Sequence, residues 1–202
     1  MDIATSRSHL RPSTQSESAL LTSADKPFLT DIETLRKRAR QHINQGPVTG
    51  GYKGDVAVVV KLLNEALATE IICTLRYRRH YFMVKGIRAE SVAPEFLAHA
   101  KEEQEHADRI AERIVQLGGE PDFSPDGLAT RSHAEYVEGR SLGDMIKEDL
   151  VAERIAIESY LEMIAYLQSR DPTTRRLLEE ILANEEEHAN DLNSLLEGMQ
   201  AI

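Results

Sequence analysis

Four apolar seams, each broken near its middle by a carboxylate, constrain this chain more than any other feature. Alternating steps of three and four residues trace the core-facing stripe of a helix. The first stripe runs Leu63, Leu67, Glu70, Thr74, Tyr77, Tyr81, and the second Phe96, His99, Glu103, His106, Ile110, Ile114, Leu117. A third runs Ile146, Leu150, Glu153, Ile157, Tyr160, Ile164, Leu167, and a fourth Leu178, Ile181, Glu185, His188, Leu192, Leu195. A buried carboxylate costs several kcal/mol unless it is paired or neutralised. Four of them converging on one core call for a cation.

The segments that carry these stripes predict helices at about 55–86, 91–118, 142–170 and 172–198, punctuated by Gly86, Gly118-Gly119 and Asp171-Pro172. Two connections are short, and the one between the second and third helices, "GEPDFSPDGLATRSHAEYVEGRS", is long. Short links give antiparallel neighbours and a single long link gives a crossover, so the expected fold is an all-α, ferritin-like four-helix bundle over 55–198. Ahead of it, residues 1–29 read as a disordered Ser/Thr-rich tail, and 30–54 as a short basic helix, at about 31–44, with a linker. Thr30 and Glu33 there form a capping-box pattern before "LRKRARQHI".

Six seam residues are candidates for metal ligation: Glu70, Glu103, His106, Glu153, Glu185 and His188. Carboxylate oxygens with imidazoles suit iron or manganese, and four Glu with two His are enough for two ions bridged by carboxylates. The chain also repeats itself. A Tyr follows seven residues after both Glu70 and Glu153, and the Glu-to-Glu spacing is 33 residues in the first half and 32 in the second. Two hairpins about a pseudo-twofold axis would each supply half of a symmetric site. Tyr77 and Tyr160 read as hydrogen-bond partners of ligand carboxylates. His99 reads as a packed or solvent-edge histidine, and Cys73 as a small buried residue.

Charge and cysteine content exclude other classes. The net charge of -10 divides into -1 over residues 1–25 and +4 over 26–53, leaving -13 for 54–202. The main body therefore attracts cations rather than nucleic acid. A single cysteine supports neither an internal disulfide nor a thiolate iron site, and a reducing cytoplasm is the expected compartment. No apolar run of membrane-spanning length occurs, and the start of the sequence does not read as a secretory signal.

The six residues, in this order, resemble the di-iron ligand set of the bacterioferritin and Dps-like branch of the ferritin family. In that family a Glu comes from each of the first and third helices, and a Glu-x-x-His from each of the second and fourth. The resemblance implies a ferroxidase that oxidises Fe(II) with dioxygen or hydrogen peroxide and stores the product in a homo-oligomeric cage. It implies two iron ions per subunit, with manganese as the other metal that the ligands suit. Glu70 and Glu153 would be terminal ligands, Glu103 and Glu185 bridges, and His106 and His188 would complete one ion each. Gln104 stands where bacterioferritins carry the haem-ligating Met, so no haem is expected. The sequence ends 14 residues after His188, short of the fifth helix of 24-subunit cages, which favours a 12-subunit shell. The paired cysteines of thioferritins are absent. DNA binding through Arg36, Lys37, Arg38 and Arg40 is not expected, because the acidic body repels the duplex. The competing classes are a manganese catalase, which would disproportionate peroxide, and a non-enzymatic oligomerisation bundle.

Overall fold

The computed structural model describes residues 30–86 and 89–200. The expected tail, residues 1–29, lies outside them. Helix α1 spans Ile32–Ala39 and is followed by a 3-10 turn at Ile43–Gln45. The bundle consists of α2 (Val56–Met83), α3 (Ala89–Gln116), α5 (Leu142–Leu167) and α6 (Pro172–Gln200), with a four-residue helix, α4 (Leu128–Arg131), in the crossover.

The helix ends follow local chemistry. Asp55 caps α2 by accepting from the amides of Ala57 and Val58, and Ser141 caps α5 by accepting from Asp144. Gly118, at φ +79°, turns the chain out of α3, where a side chain would be strained. The basic helix is shorter than the sequence suggests: it covers Ile32–Ala39 rather than 31–44, because His42 enters the left-handed region at φ 51°. Its cap is Asp31, which accepts from Thr34, rather than Thr30. The third bundle helix stops at Leu167 instead of 170, where Gln168 adopts φ 43°.

Helix α2 pairs with α3 and α5 with α6, and the two hairpins pack through α2 against α5 and α3 against α6. The crossover runs along the whole length of α2. The Asn64 side chain bonds the backbone of Glu120 and Asp122 at one end. Midway, the Thr69 hydroxyl accepts from the amide of His133. Arg76 donates to the carbonyl of Glu135, and His80 Nε2 lies 3.0 Å from that of Glu138. Asp149 of α5 closes this network, 2.8 Å from both Arg76 Nε and His80 Nδ1. All three side chains are buried, so the Arg76 guanidinium has its anion in a region where an unpaired charge would be costly.

The linker is tied down at the opposite end. Arg113 donates to both oxygens of Asp171 and to Thr174, and the Tyr52 hydroxyl donates to Asp171 at 2.9 Å. Burial first, and then the Asp171 carboxylate, raise the Tyr52 phenol above its ordinary pKa, so the hydroxyl stays protonated as a donor. Replacing Tyr52 by Phe should lower unfolding stability by about 1 kcal/mol, the net worth of one such bond, as measured by denaturant titration.

Two large apolar clusters fill the bundle, beside a small one that joins Cys73 and Ala152 to Ala134 of the crossover. One includes Leu63, Leu67, Ile110, Ile114, Met163 and Ile181. The other includes Tyr77, Phe96, Ala100, Ile146 and Leu192. The six interrupting polar residues belong to neither cluster and occupy the layer between them. On α5 the buried face is rotated from the expected stripe: Asp149, Ala156 and Met163 are buried, whereas Leu150, Ile157 and Ile164 are only half-buried.

Candidate metal centre

Each of the six residues sits mid-helix with its side chain in the core, and none exceeds 2% exposure. The three-residue spacing of Glu103 with His106 on α3, and of Glu185 with His188 on α6, puts each pair on one helix face. Helices α2 and α5 each add one glutamate. One group of possible ligand atoms, all within 4.8 Å of one another, comprises Glu70, Glu103, His106 and Glu185. A second comprises Glu103, Glu153, Glu185 and His188. Glu103 and Glu185 are common to both groups. All six residues expected from the sequence thus come together, in two halves that share two carboxylates.

Both imidazoles turn Nδ1 toward the carboxylates. His106 Nδ1 lies 3.0 Å from Glu185 and 3.3 Å from Glu70, and His188 Nδ1 lies 3.3 Å from Glu103 and 3.5 Å from Glu185. The outer ring follows the pseudo-twofold. Tyr77 of α2 donates to Glu153 of α5, and Tyr160 of α5 donates to Glu70 of α2. The seven-residue spacing read from the sequence therefore becomes a reciprocal pair, because α2 and α5 run antiparallel. His99 is buried. Its ring stacks on His188 with centroids 4.1 Å apart, and its Nδ1 lies 3.3 Å from the Tyr77 hydroxyl.

Sequence reasoning missed Glu102. This half-exposed carboxylate lies 2.7 Å from His188 Nε2 and fixes which face of the ring looks inward. Nothing in "KEEQEH" separates it from a solvated glutamate.

The electrostatics of the metal-free site show the strain of packing these charges together. Burial, and then the neighbouring Glu185, Glu153 and Glu70 charges, push the Glu103 carboxyl well above the usual carboxylate range. The same causes, with Glu70 the foremost neighbour, raise Glu185 to about 8. Burial also works to raise Glu153, but His188, Glu185 and Tyr77 outweigh it and bring it down to about 2. Burial opposes charge on the histidines, yet Glu185 and Glu70 raise His106 to about 10. Glu103, Glu153 and Glu185 raise His188 as well. Burial and the adjacent His188 lower His99 to about 4. Protons thus stand in for cations in the core.

The donor set fits a pair of metal ions. Glu103 Oε1, Glu153 Oε2, both Glu185 oxygens and His188 Nδ1 are buried without a hydrogen bond, and all belong to the group whose ligand atoms converge on Glu103 and Glu185. Buried polar atoms left unmatched are rare in a folded protein unless something else completes them. Hard oxygens with two imidazole nitrogens match Fe(II) or Mn(II) better than a soft-metal site.

The comparisons with known proteins agree with this architecture. The ferritin-like domain family matches residues 60–202, so the chain belongs to the ferritin family. It is 30% identical to a bacterioferritin of Mycobacterium bovis over 145 residues, which cover 71% of this chain and 87% of the relative. It is 32% identical over 130 residues to a nutrient stress-induced DNA-binding protein of Synechococcus, covering 63% of this chain and 74% of that one. Among solved structures, a dodecameric thioferritin of Bacteroides fragilis, a bacterioferritin-related protein, superposes with a TM-score of 0.71 at 32% identity. That match covers 74% of this chain and 90% of the other.

Gln104 follows Glu103 directly, and its exposed amide donates to Asp108. An amide offers no thioether for axial ligation, so purified protein should show no Soret absorbance at stoichiometric haem. A strong Soret band would show that haem is held by other residues. Among the described residues, no helix is long and apolar enough to cross a membrane.

Proposed function

We propose that the chain is a ferroxidase that takes Fe(II) as substrate at the paired carboxylate site and delivers Fe(III) to the interior of an oligomeric cage. The observation that supports this most is the sharing of Glu103 and Glu185 between two four-residue ligand groups. In this reading Glu103 and Glu185 bridge, Glu70 and Glu153 are terminal ligands, and His106 and His188 complete one ion each. With peroxide, two Fe(II) ions each give up one electron, and H2O2 takes both electrons with two protons to give two waters. With dioxygen, the same two electrons and two protons give H2O2.

The protein's part is to hold and release ions at fixed positions. Tyr77 and Tyr160 orient the terminal carboxylates through one oxygen each and leave the other for the cation. Glu102 orients the His188 ring in the same way from outside. The apolar layers above and below keep bulk water out, which strengthens every interaction within. The dodecameric thioferritin supports a twelve-subunit shell here, and the acidic body of the chain would draw Fe(II) toward it.

The test is rapid mixing of protein loaded anaerobically with Fe(II) against separate pulses of dioxygen and peroxide, followed by Fe(III) absorbance. Oxidation faster than Fe(II) in buffer is expected for at least one oxidant. Oxidation at the buffer rate with both would sink the proposal, and evolution of dioxygen from peroxide by manganese-loaded protein would favour the catalase class.

A further inference from the structure

Helix α1 is amphipathic and basic, and among the described residues it joins no core cluster. Ile32, Leu35 and Ala39 share one face of it, and Ile43 follows in the 3-10 turn. Ile32 is 64% exposed, Leu35 48% and Ile43 80%. None of the helix's residues is buried. Arg36, Lys37, Arg38 and Arg40 cover the rest of its surface. Eight residues are too few for a stable helix in water, since nucleation is not repaid in so short a length. This helix needs a surface to lie on.

A matching surface exists on the α2–α5 face of the bundle. Helices α2 and α5 leave an open groove of about 820 Å³ between them, with Leu62, Val151 and Ile155 among its apolar residues. Glu65, Glu158 and Glu162 also line it, against a single cation, Arg154. Its α5 wall, from Val151 to Tyr166, is about 22 Å long, and the eight residues of α1 would cover about 12 Å of it. An apolar floor with carboxylates around it complements an apolar stripe flanked by arginines.

The arm does not lie in this groove in its own protomer. Asn44–Val48 line a hollow together with Val115–Gly118 at the end of α3, and Tyr52 is held by Asp171. The arm is thus anchored at the start of α2, the end of α3 and the start of α6, and none of its described residues lines the α2–α5 groove. We propose that α1 of one chain docks in the α2–α5 groove of a second copy, where it clasps neighbouring subunits. The contact is independent of the metal chemistry, so it can fail without touching the ferroxidase reading. It also occupies the basic residues that could otherwise meet DNA.

The full chain carrying Leu35→Cys and Ile155→Cys tests this directly, because the native Cys73 is buried and does not compete. Mild oxidation is expected to give disulfide-linked dimers and higher species on non-reducing gels. Adding Glu158→Lys and Glu162→Lys should cut the cross-linked yield about tenfold through like-charge repulsion. Arg36→Glu with Arg38→Glu in that background should restore it. An intrachain disulfide, or cross-linking insensitive to the charge changes, would overturn the proposal. So would failure to cross-link together with a shift of duplex DNA by the assembled protein at ~150 mM salt, where charge interactions reach only about 8 Å.

Discussion

Replacing Glu103 by Leu should slow Fe(II) oxidation by about a thousandfold while raising the unfolding temperature of the metal-free protein. Glu103 belongs to both groups of possible ligand atoms, so its loss would weaken both halves together. The kinetic loss, about 4 kcal/mol by transition-state arithmetic, reflects ions no longer held as a pair. The stability gain has a separate origin. Glu103 is 1% exposed, and its Oε1 has no hydrogen bond and only His188 Nδ1 at 3.3 Å to offset burial, so the metal-free fold carries a desolvation cost at that atom. A leucine of similar volume would remove the cost and join the apolar layers on either side, a change worth about 1–3 kcal/mol. Stopped-flow oxidation and thermal denaturation on the same variant check both halves. An apo variant that unfolds would mean that Glu103 holds the bundle together, and an unchanged rate would mean that it does not bridge.

Metal loading should reverse the pH dependence of stability. In the metal-free protein Glu185 is raised to about 8 and His106 to about 10, and Glu103 and His188 are raised as well. A group raised on folding stabilises fully below its unfolded value and loses that contribution as pH climbs through its folded value. Metal-free protein should therefore lose stability as pH rises from about 5 through 8 to 10. Glu153, lowered to about 2, acts in the opposite sense: its contribution is present above the ordinary Glu value and is lost only as pH falls toward 2. Divalent ions must displace the protons held at the site, so filling it near pH 7 should release about four protons per chain. The loaded protein should gain stability with rising pH over the range where the apo form loses it. With free metal at 100 times Kd, each ion adds about 2.7 kcal/mol. For two ions in a domain of this size, that is a Tm increase of about 10 °C or more. Calorimetry in buffers of different ionisation enthalpy counts the protons. Metal binding with no proton release would contradict the charge balance of the site.

The parts of the fold legible in the sequence were those where chemistry and periodicity conflicted. Glu70, Glu103, Glu153 and Glu185 stood out because each replaced an apolar residue on an otherwise apolar stripe, and the structure brings all four together with both histidines. The reciprocal bonds of Tyr77 and Tyr160 were legible as a spacing, although only the antiparallel packing of α2 on α5 shows that each tyrosine serves the other helix's glutamate. Asp149 was not legible. It lies one residue from Leu150, and with two charged neighbours it reads as part of a solvated face, yet it is fully buried because Arg76 and His80 reach it from α2. No periodicity reports a charge neutralised by a distant element. The same limit hid Glu102, whose role depends on a ring supplied 86 residues away. The extent of α1 was overestimated because a basic run continues through Arg40, while the backbone leaves the helical region at His42.

The proposed centre holds two cations between four carboxylates and two imidazoles of one chain. Anaerobic titration of the metal-free protein with Fe(II), monitored by equilibrium dialysis and elemental analysis, tests it most directly. Two tightly bound ions per chain are predicted, both lost from a Glu103→Leu, Glu185→Leu double variant that stays folded. Saturation at one ion per chain, or retention of two by that variant, would contradict the shared-carboxylate site.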